Sequence, residues 1–424
     1  MYQSYSAIFT ALFGQVAIFI ALVVLLIMAW NLWLTYINTL FLNSIKWVLL
    51  EVRPPKEVHK SPLAMELVLG ALYQTGGVGT WYDRYWKGNL RYFFSLEIVS
   101  HEGKVRFLVR TPDRFRKLIE SQIYSQYPQA EVFEVEDYTK KIPDYKKGGP
   151  IELWGCRFEL TKDDPYPIKT YVDYGLDKAV GSLDENQRID PITPTLEFMG
   201  SLGAGEYFWF QILVQPDTKR FSVKNKEGKE ESGKDWKDKG REVIKELKGK
   251  LLEKDAEGKV MPGTSSQGQK LVIEAIERSI NKLGFDCGIR ALYLAEKASF
   301  NAGARIPSLT GILRQFNSSD LNGFKPAETT SFDFPWQDPF GTRLETKKKY
   351  LLSDYKNRSY FYGGFSFDDV KKYFTSPGKS GKKPFILTSE ELATLFHLPG
   401  TVLETPSFER IEATKGEPPA NLPI

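Results

Sequence analysis

The chain has 424 residues, of which 42% are hydrophobic, 14% aromatic and 26% charged, and this make-up excludes a disordered polypeptide. Its net charge of +4 is too small for a dedicated nucleic-acid coat. Two cysteines (Cys156, Cys287) and three histidines (His59, His101, His397), all far apart, supply neither a disulfide framework nor metal-ligand spacing.

No Asp, Glu, Lys or Arg occurs between Met1 and Ile45. Ala7 to Leu40 is an apolar run broken only by Thr10, Gln15, Asn31, Thr35, Asn38 and Thr39. A bilayer core of about 30 Å takes roughly 20 helical residues, so the run is long enough to span. It lacks the basic n-region of a secretory signal and exceeds an h-region in length. Trp30, Trp33 and Tyr36 fall where rings favour the membrane interface. The basic residues that follow include Lys46 and Arg53, which puts the N-terminus outside and the bulk in the cytoplasm. Asn38 to Leu50 is expected to continue as an interfacial helix with Lys46 snorkelling to water.

Arg53-Pro54-Pro55-Lys56 is a stiff exit. Ser61 to Tyr73 predicts a helix capped by Ser61 with Pro62 in its first turn, stopping at Gly76-Gly77. Tyr92 to Ser100 and Lys104 to Arg110 predict a hairpin about His101-Glu102-Gly103. A helix opened by Thr111-Pro112-Asp113 follows, with Phe115, Leu118, Ile119 and Ile123 on one stripe. Ala130 to Tyr138, Ile151 to Thr161 and Ile168 to Tyr174 read as further strands. Pro194 to Ser201 and Tyr207 to Gln215 read as strands, Lys270 to Leu283 as an amphipathic helix and Phe285 to Ala295 as a strand. The order β-β-α-β thus occurs twice, a duplication of element order only. The Lys- and Glu-rich stretch 217–267 reads as a solvated insertion, with Val243, Ile244, Leu247, Leu251 and Leu252 on one helical stripe. Asn301 to Leu313 is a helix candidate, and Asn317 to Thr346 is a connector with aromatic anchors. Phe385-Ile386-Leu387 is a short strand, and Thr388 with Glu391 fits a capping box.

The predicted fold class is α+β: one N-terminal transmembrane helix, two antiparallel β-β-α-β units, then a capped C-terminal helix and extended tail. Residues 1–52 form the anchor, 53–175 and 176–316 two α+β domains, and 317–424 the connector, helix and Pro-rich tail.

Gly378-Lys379-Ser380 resembles the end of a P-loop, but Tyr373 stands where its first glycine belongs. No nucleophile elbow, zinc helix or Cys/His arrangement is present in the sequence. No catalytic, cofactor-binding or metal-ligating residue is nominated. Aromatic and basic residues interleave at Trp81 to Arg91 and Tyr355 to Tyr362, a pattern compatible with nucleic acid but commoner in cores and interfaces.

Three stretches carry a resemblance: LGAGEYFWFQILVQP (Leu202 to Pro216), LTSEELATLFHLP (Leu387 to Pro399) and the Glu417 to Pro423 tail. They resemble the membrane-anchored region ahead of the motor in type IV secretion and conjugation-like ATPases of the HerA–FtsK and coupling-protein type. The likeness is closest to uncharacterised versions in small-genome candidate-phyla bacteria. No Walker lysine accompanies them, so ATPase activity is not carried over. The resemblance implies a non-enzymatic component in the cell membrane, without cofactor, contacting lipid and docking a separately encoded motor ATPase. It implies a ring-compatible homo-oligomer, and it puts Glu390, Glu391, Phe396 and His397 on the motor-facing surface. The competing expectation is a static envelope or pilus-platform scaffold with no nucleic-acid role.

Overall fold

The computed structural model describes residues 2–55, 60–74, 79–177, 189–224, 230–250, 252–254, 260–262, 267–362 and 383–400. Gly76-Gly77, Gly378-Lys379-Ser380, Leu251 and the tail from Thr401 lie outside them. The chain divides into two units.

One unit comprises residues 1–46, 76–92 and 361–382. Its helix α1 runs from Tyr2 to Ser44, and Phe13–Ser44 is a stretch long and apolar enough to cross a membrane. Asn31 donates to the Ile27 carbonyl (2.9 Å), Thr35 to that of Asn31 (2.8 Å) and Thr39 to that of Thr35 (2.7 Å). These three polar side chains are thus satisfied within the helix, as an apolar surrounding requires. A five-residue helix, α3 (Trp81–Tyr85), is capped by Thr80.

The other unit is built on one nine-stranded antiparallel sheet. Its strands are β1 (Trp47–Arg53), β2 (Phe94–His101), β3 (Lys104–Pro112), β4 (Glu131–Glu134), β5 (Ile151–Leu160), β6 (Glu206–Pro216), β11 (Gly284–Glu296), β12 (Phe324–Ala327) and β13 (Phe385–Thr388). Their spatial order is β12-β5-β11-β6-β2-β3-β1-β4, and β13 pairs with the far end of the long β11. Helices α2 (Pro62–Gly70), α4 (Arg116–Gln126), α5 (Thr193–Gly200) and α8 (Ala302–Gly311) all contribute to the core on one face.

This order contains a repeat. Strands β1, β2, β3 and β4 enclose α2 and α4 and lie 4-1-3-2 in space; β5, β6, β11 and β12 enclose α5 and α8 and lie 4-1-3-2 again. Each half is therefore a β-α-β-β-α-β unit. The halves join through the antiparallel β2–β6 pair, from Phe94↔Val214 to His101↔Tyr207, so the strand order reads the same from either edge. Where the first half has the two-residue turn Glu102-Gly103, the second carries the insertion. That insertion holds β7 (Phe221–Lys224), β8 (Glu230–Lys234), α6 (Trp236–Lys250), β9 (Leu252–Lys254), β10 (Val260–Pro262) and α7 (Gln267–Ile280). Val243 and Ile244 of α6 close on Val272, Ile273 and Ile276 of α7 as a separate small core.

The α+β class and the apolar N-terminal helix stand as expected. Several local expectations are corrected. The two α+β regions are halves of one sheet, and β5 opens the second half where the boundary was expected after residue 175. Residues 47–50 belong to β1, not to an interfacial helix, because Val48, Leu50 and Val52 fill one core while Leu49 fills the core on the opposite sheet face. Pro194 to Ser201 is helical, with Pro194 in the first turn and Leu196 and Met199 one turn apart, both buried. Ile168 to Tyr174 is irregular chain running into turns, with the amides of Ile168, Thr170 and Tyr171 taken by side chains.

Candidate functional site

The sheet's second face carries a row of polar residues in register: Glu97 on β2, Gln211 on β6, and Arg290 on β11, with Arg157 of β5 next in the row. Helix α9 (Thr342–Asn357) covers this face through Leu351, Leu352 and Tyr355. At its C-cap, Arg358 adopts left-handed backbone (φ 52°) and turns its guanidinium into the interior. There it donates to both Glu97 oxygens (3.0 and 3.2 Å) and to the carboxylate of Asp137. Glu97 also accepts from Ser95 (2.6 Å), Tyr138 (2.8 Å) and Gln211 (2.8 Å). Tyr138 shares a hydrogen bond with Tyr355 (2.8 Å), and Tyr355 stacks on Trp209 with ring centroids 5.2 Å apart. Burial alone would raise the Glu97 pKa, but the Arg358 charge and the donors hold it below the ordinary carboxylate value. Arg290 donates to Gln211 (2.6 Å) and to the Ser359 carbonyl (3.1 Å), and burial brings its pKa down to about 10. Glu97, Arg290 and Arg358 are fully buried, while Asp137 is partly exposed. The cluster clasps α9 to the sheet. The stretch Tyr355 to Tyr362, read above as compatible with nucleic acid, places Tyr355, Arg358 and Tyr360 inside this face.

A second polar node centres on helix α10 (Ser389–Leu395), whose Thr388–Glu391 capping box forms as expected. Glu390, Glu391, Phe396 and His397 do not face solvent; each is 2–3% exposed, which corrects their expected role as a docking surface. Glu391 accepts from the Thr388 amide and hydroxyl (both 2.8 Å) and from the Ile168 amide (2.9 Å). Glu390 accepts from Thr170 (2.7 Å) and pairs with Arg278 (3.1 Å). Beside it, Glu66 of α2 accepts from Tyr171 (2.8 Å), Lys282 (2.8 Å) and Ser389 (2.9 Å). The His397 ring lies 3.1 Å from the Asp190 carboxylate and 2.8 Å from the Ala393 carbonyl. Phe396 meets Phe107 edge-on at 5.7 Å. The physical reason is plain: α10 is the hub to which α2, α7 and the Ile168–Tyr171 segment are tied. Burial pushes the Glu391 pKa up to about 7, against its three donors. His397 is raised, because Asp190 outweighs the burial that opposes its charge.

The residues assigned to the membrane interface divide between the units. Trp30 and Tyr36 are exposed on α1, and Trp33 is half-buried, its indole donating to the Tyr85 carbonyl (2.9 Å). Lys46 is exposed just past α1. Arg53 lies in β1, where it pairs with Glu51 (3.0 Å) and stacks on Phe133 (4.4 Å to the ring centroid).

Sequence reasoning missed a cleft of about 300 Å³ lined by Glu51, Arg53, His101, Lys104, Arg106 and Lys141, among others. Burial pushes the His101 pKa down to about 3, with the Arg106 and Lys141 charges adding to it, so the ring is neutral. Four cations against one carboxylate make the cleft electropositive. The cations come from β1, β3 and the Tyr138–Lys141 turn, and only the topology brings them together. Among the described residues no group of His, Cys, Asp and Glu has metal-holding geometry. Cys156 and Cys287 are both fully buried, and burial raises both thiols.

These features define an α+β protein of two fused β-α-β-β-α-β halves, with an N-terminal helix long and apolar enough to cross a membrane and its main charge clusters turned inward. The chain belongs to the family described as "Domain of unknown function (DUF8128)", whose model matches residues 35–410. Comparison with curated proteins gives no match.

Proposed function

We propose that this protein is a membrane-anchored, non-enzymatic component of a type IV secretion- or conjugation-like translocation machine, which docks a separately encoded motor ATPase. The observation that carries the reading is the combination of α1 with a body whose conspicuous charged groups are spent on internal ties. Such a body is suited to holding a fixed shape at a membrane. The sequence resemblance supplies the kind of machine. Lys46 and Arg53, on the C-terminal side of a charge-free segment, support an outside N-terminus and a cytoplasmic sheet domain in the cell membrane.

The test is cross-linking and affinity purification of the full chain from host membranes, with partners identified by mass spectrometry. A P-loop ATPase recovered in stoichiometric amount, and lost from cells lacking the bait, supports the reading. Recovery of envelope or pilus components alone overturns it in favour of a static scaffold. The nucleic-acid arm is separable: phosphate contacts weaken steeply with salt, whereas scaffold contacts do not. A C-terminal fluorescent fusion that matures only in the cytoplasm reports the orientation.

A further inference from the structure

We propose that helix α3 is a second membrane element, lying in the headgroup–acyl boundary of the bilayer that α1 crosses; this rests on the anchored reading above. A helix of 43 residues is roughly 65 Å long at about 1.5 Å per residue, about twice the hydrocarbon core. Its C-terminal third therefore leaves the core and passes the headgroups. The change falls near Trp30, after which Asn31, Thr35, Asn38 and Thr39 interrupt the apolar run.

The excursion holding α3 packs along this same third. The Trp30 ring lies 5.9 Å from Tyr85, Trp33 lies 5.7 Å from Trp86, and Phe41 lies 6.2 Å from Tyr92. Gly88 sits on the helix with φ 67°, where a side chain would overlap the backbone of the buried Ile37. The register along α1 is thereby fixed.

What α3 turns outward is aromatic. Trp81 is 67% exposed and Tyr82 and Trp86 are 51% exposed, beside the exposed Trp30 and Tyr36 of α1. Five large exposed amphipathic rings on two elements that pack together are costly in water and favoured at the bilayer interface. Arg84 on α3 and Lys87 just past it are exposed, and Lys87 pairs with Asp83 (2.9 Å), so the charge needed to meet headgroups is present. Continuity with a helix that crosses the membrane makes lipid the occupant of this surface.

The experiment reconstitutes the full chain in phosphatidylcholine–phosphatidylglycerol vesicles with one nitroxide label at a time. The buried native cysteines should leave the unsubstituted chain unlabelled. Labels go on Trp81→Cys and Tyr82→Cys, with Leu22→Cys as the mid-bilayer reference and Lys325→Cys as the water reference. The ratio of oxygen to nickel-chelate collision rates is read at each. The proposal expects Trp81→Cys and Tyr82→Cys several-fold above Lys325→Cys and below Leu22→Cys. A water-like ratio at both α3 positions, with Leu22→Cys still in lipid, overturns the proposal and leaves the anchor standing. A water-like ratio at Leu22→Cys overturns the anchored reading itself.

Discussion

Replacing Arg358 with methionine tests whether the interior ion cluster is the clasp that holds α9. The substitution keeps most of the side-chain volume and removes the charge. Glu97 then keeps Ser95, Tyr138 and Gln211 as donors but loses the cation 3.0 Å from one of its oxygens. At that distance, and an effective dielectric of about 20, two unit charges attract by roughly 5 kcal/mol. Much of that is offset by the cost of burying the pair, so the informative quantity is what breaking it does. Leaving one buried charge without its partner costs about 3–5 kcal/mol. The double variant Glu97→Gln/Arg358→Met removes both charges and should be more stable than Arg358→Met alone by about 2 kcal/mol. Arg358→Gly relieves the left-handed backbone by roughly 1 kcal/mol but empties a fully buried side-chain volume worth about 2–5 kcal/mol, so it should be less stable than the methionine variant. Denaturant unfolding of the detergent-solubilised chain measures all three by tryptophan fluorescence, with Trp209 against Tyr355 as a local reporter. A loss under about 1 kcal/mol for Arg358→Met, or strict additivity in the double variant, would refute the clasp.

Phe396→Ala should cost about 3–5 kcal/mol of stability, because Phe396 is a core residue against Phe107; a melt that stays unchanged, with partner capture lost, would restore it as a surface contact. Stability should fall on the alkaline side. Glu391's folded pKa of about 7 lies above its ordinary 4.5, so the stability it contributes is complete below 4.5 and lost as pH rises through about 7, on the order of 3 kcal/mol. His397, also raised, adds stability below 6.5 that is lost as pH rises through its folded value, while the depressed Asp190 contributes above 3.8 and loses its share in acid. Glu391→Gln preserves the capping box and should flatten that alkaline slope in denaturation curves taken from pH 5 to 8; an unaltered slope would count against the assignment. Gly288→Ala places a methyl group into the Tyr360 ring and should cost about 1–3 kcal/mol, read as a lowered melting temperature.

Local chemistry was legible and long-range pairing was not. The alternation of Val105, Phe107 and Val109 located β3, and Thr388 with Glu391 located the start of α10, because each signal is written within a few residues. The Glu102-Gly103 turn was equally readable, both residues having positive φ. Ile168 to Tyr174 looked like a strand because nothing nearby shows that its amides are taken by Glu391 and Thr394, each 223 positions away. The clasp was hidden for the same reason: Glu97 and Arg358 are 261 residues apart, and Arg358 sits in a stretch whose composition suggests surface chemistry. The join between halves depends on which edge β2 offers to β6, and the hydrophobic pattern of either strand is silent on that.

The stretch LTSEELATLFHLP shows why a motif can be distinctive without being a contact surface. Its polar residues look spendable on a partner, yet Thr388, Glu390, Glu391, Thr394 and His397 each reach a different internal group. A helix of seven residues has little stability of its own, so a helix this short persists only when tertiary contacts hold it. Those contacts come from β13, the Ile168–Tyr171 segment, α2 and α7, which between them fix nearly every side chain on the element. Such constraint limits substitution as strongly as partner recognition does. Likeness in this stretch therefore testifies to a shared framework, and a shared partner has to be argued from exposed groups such as the cations around Lys104 and Lys141.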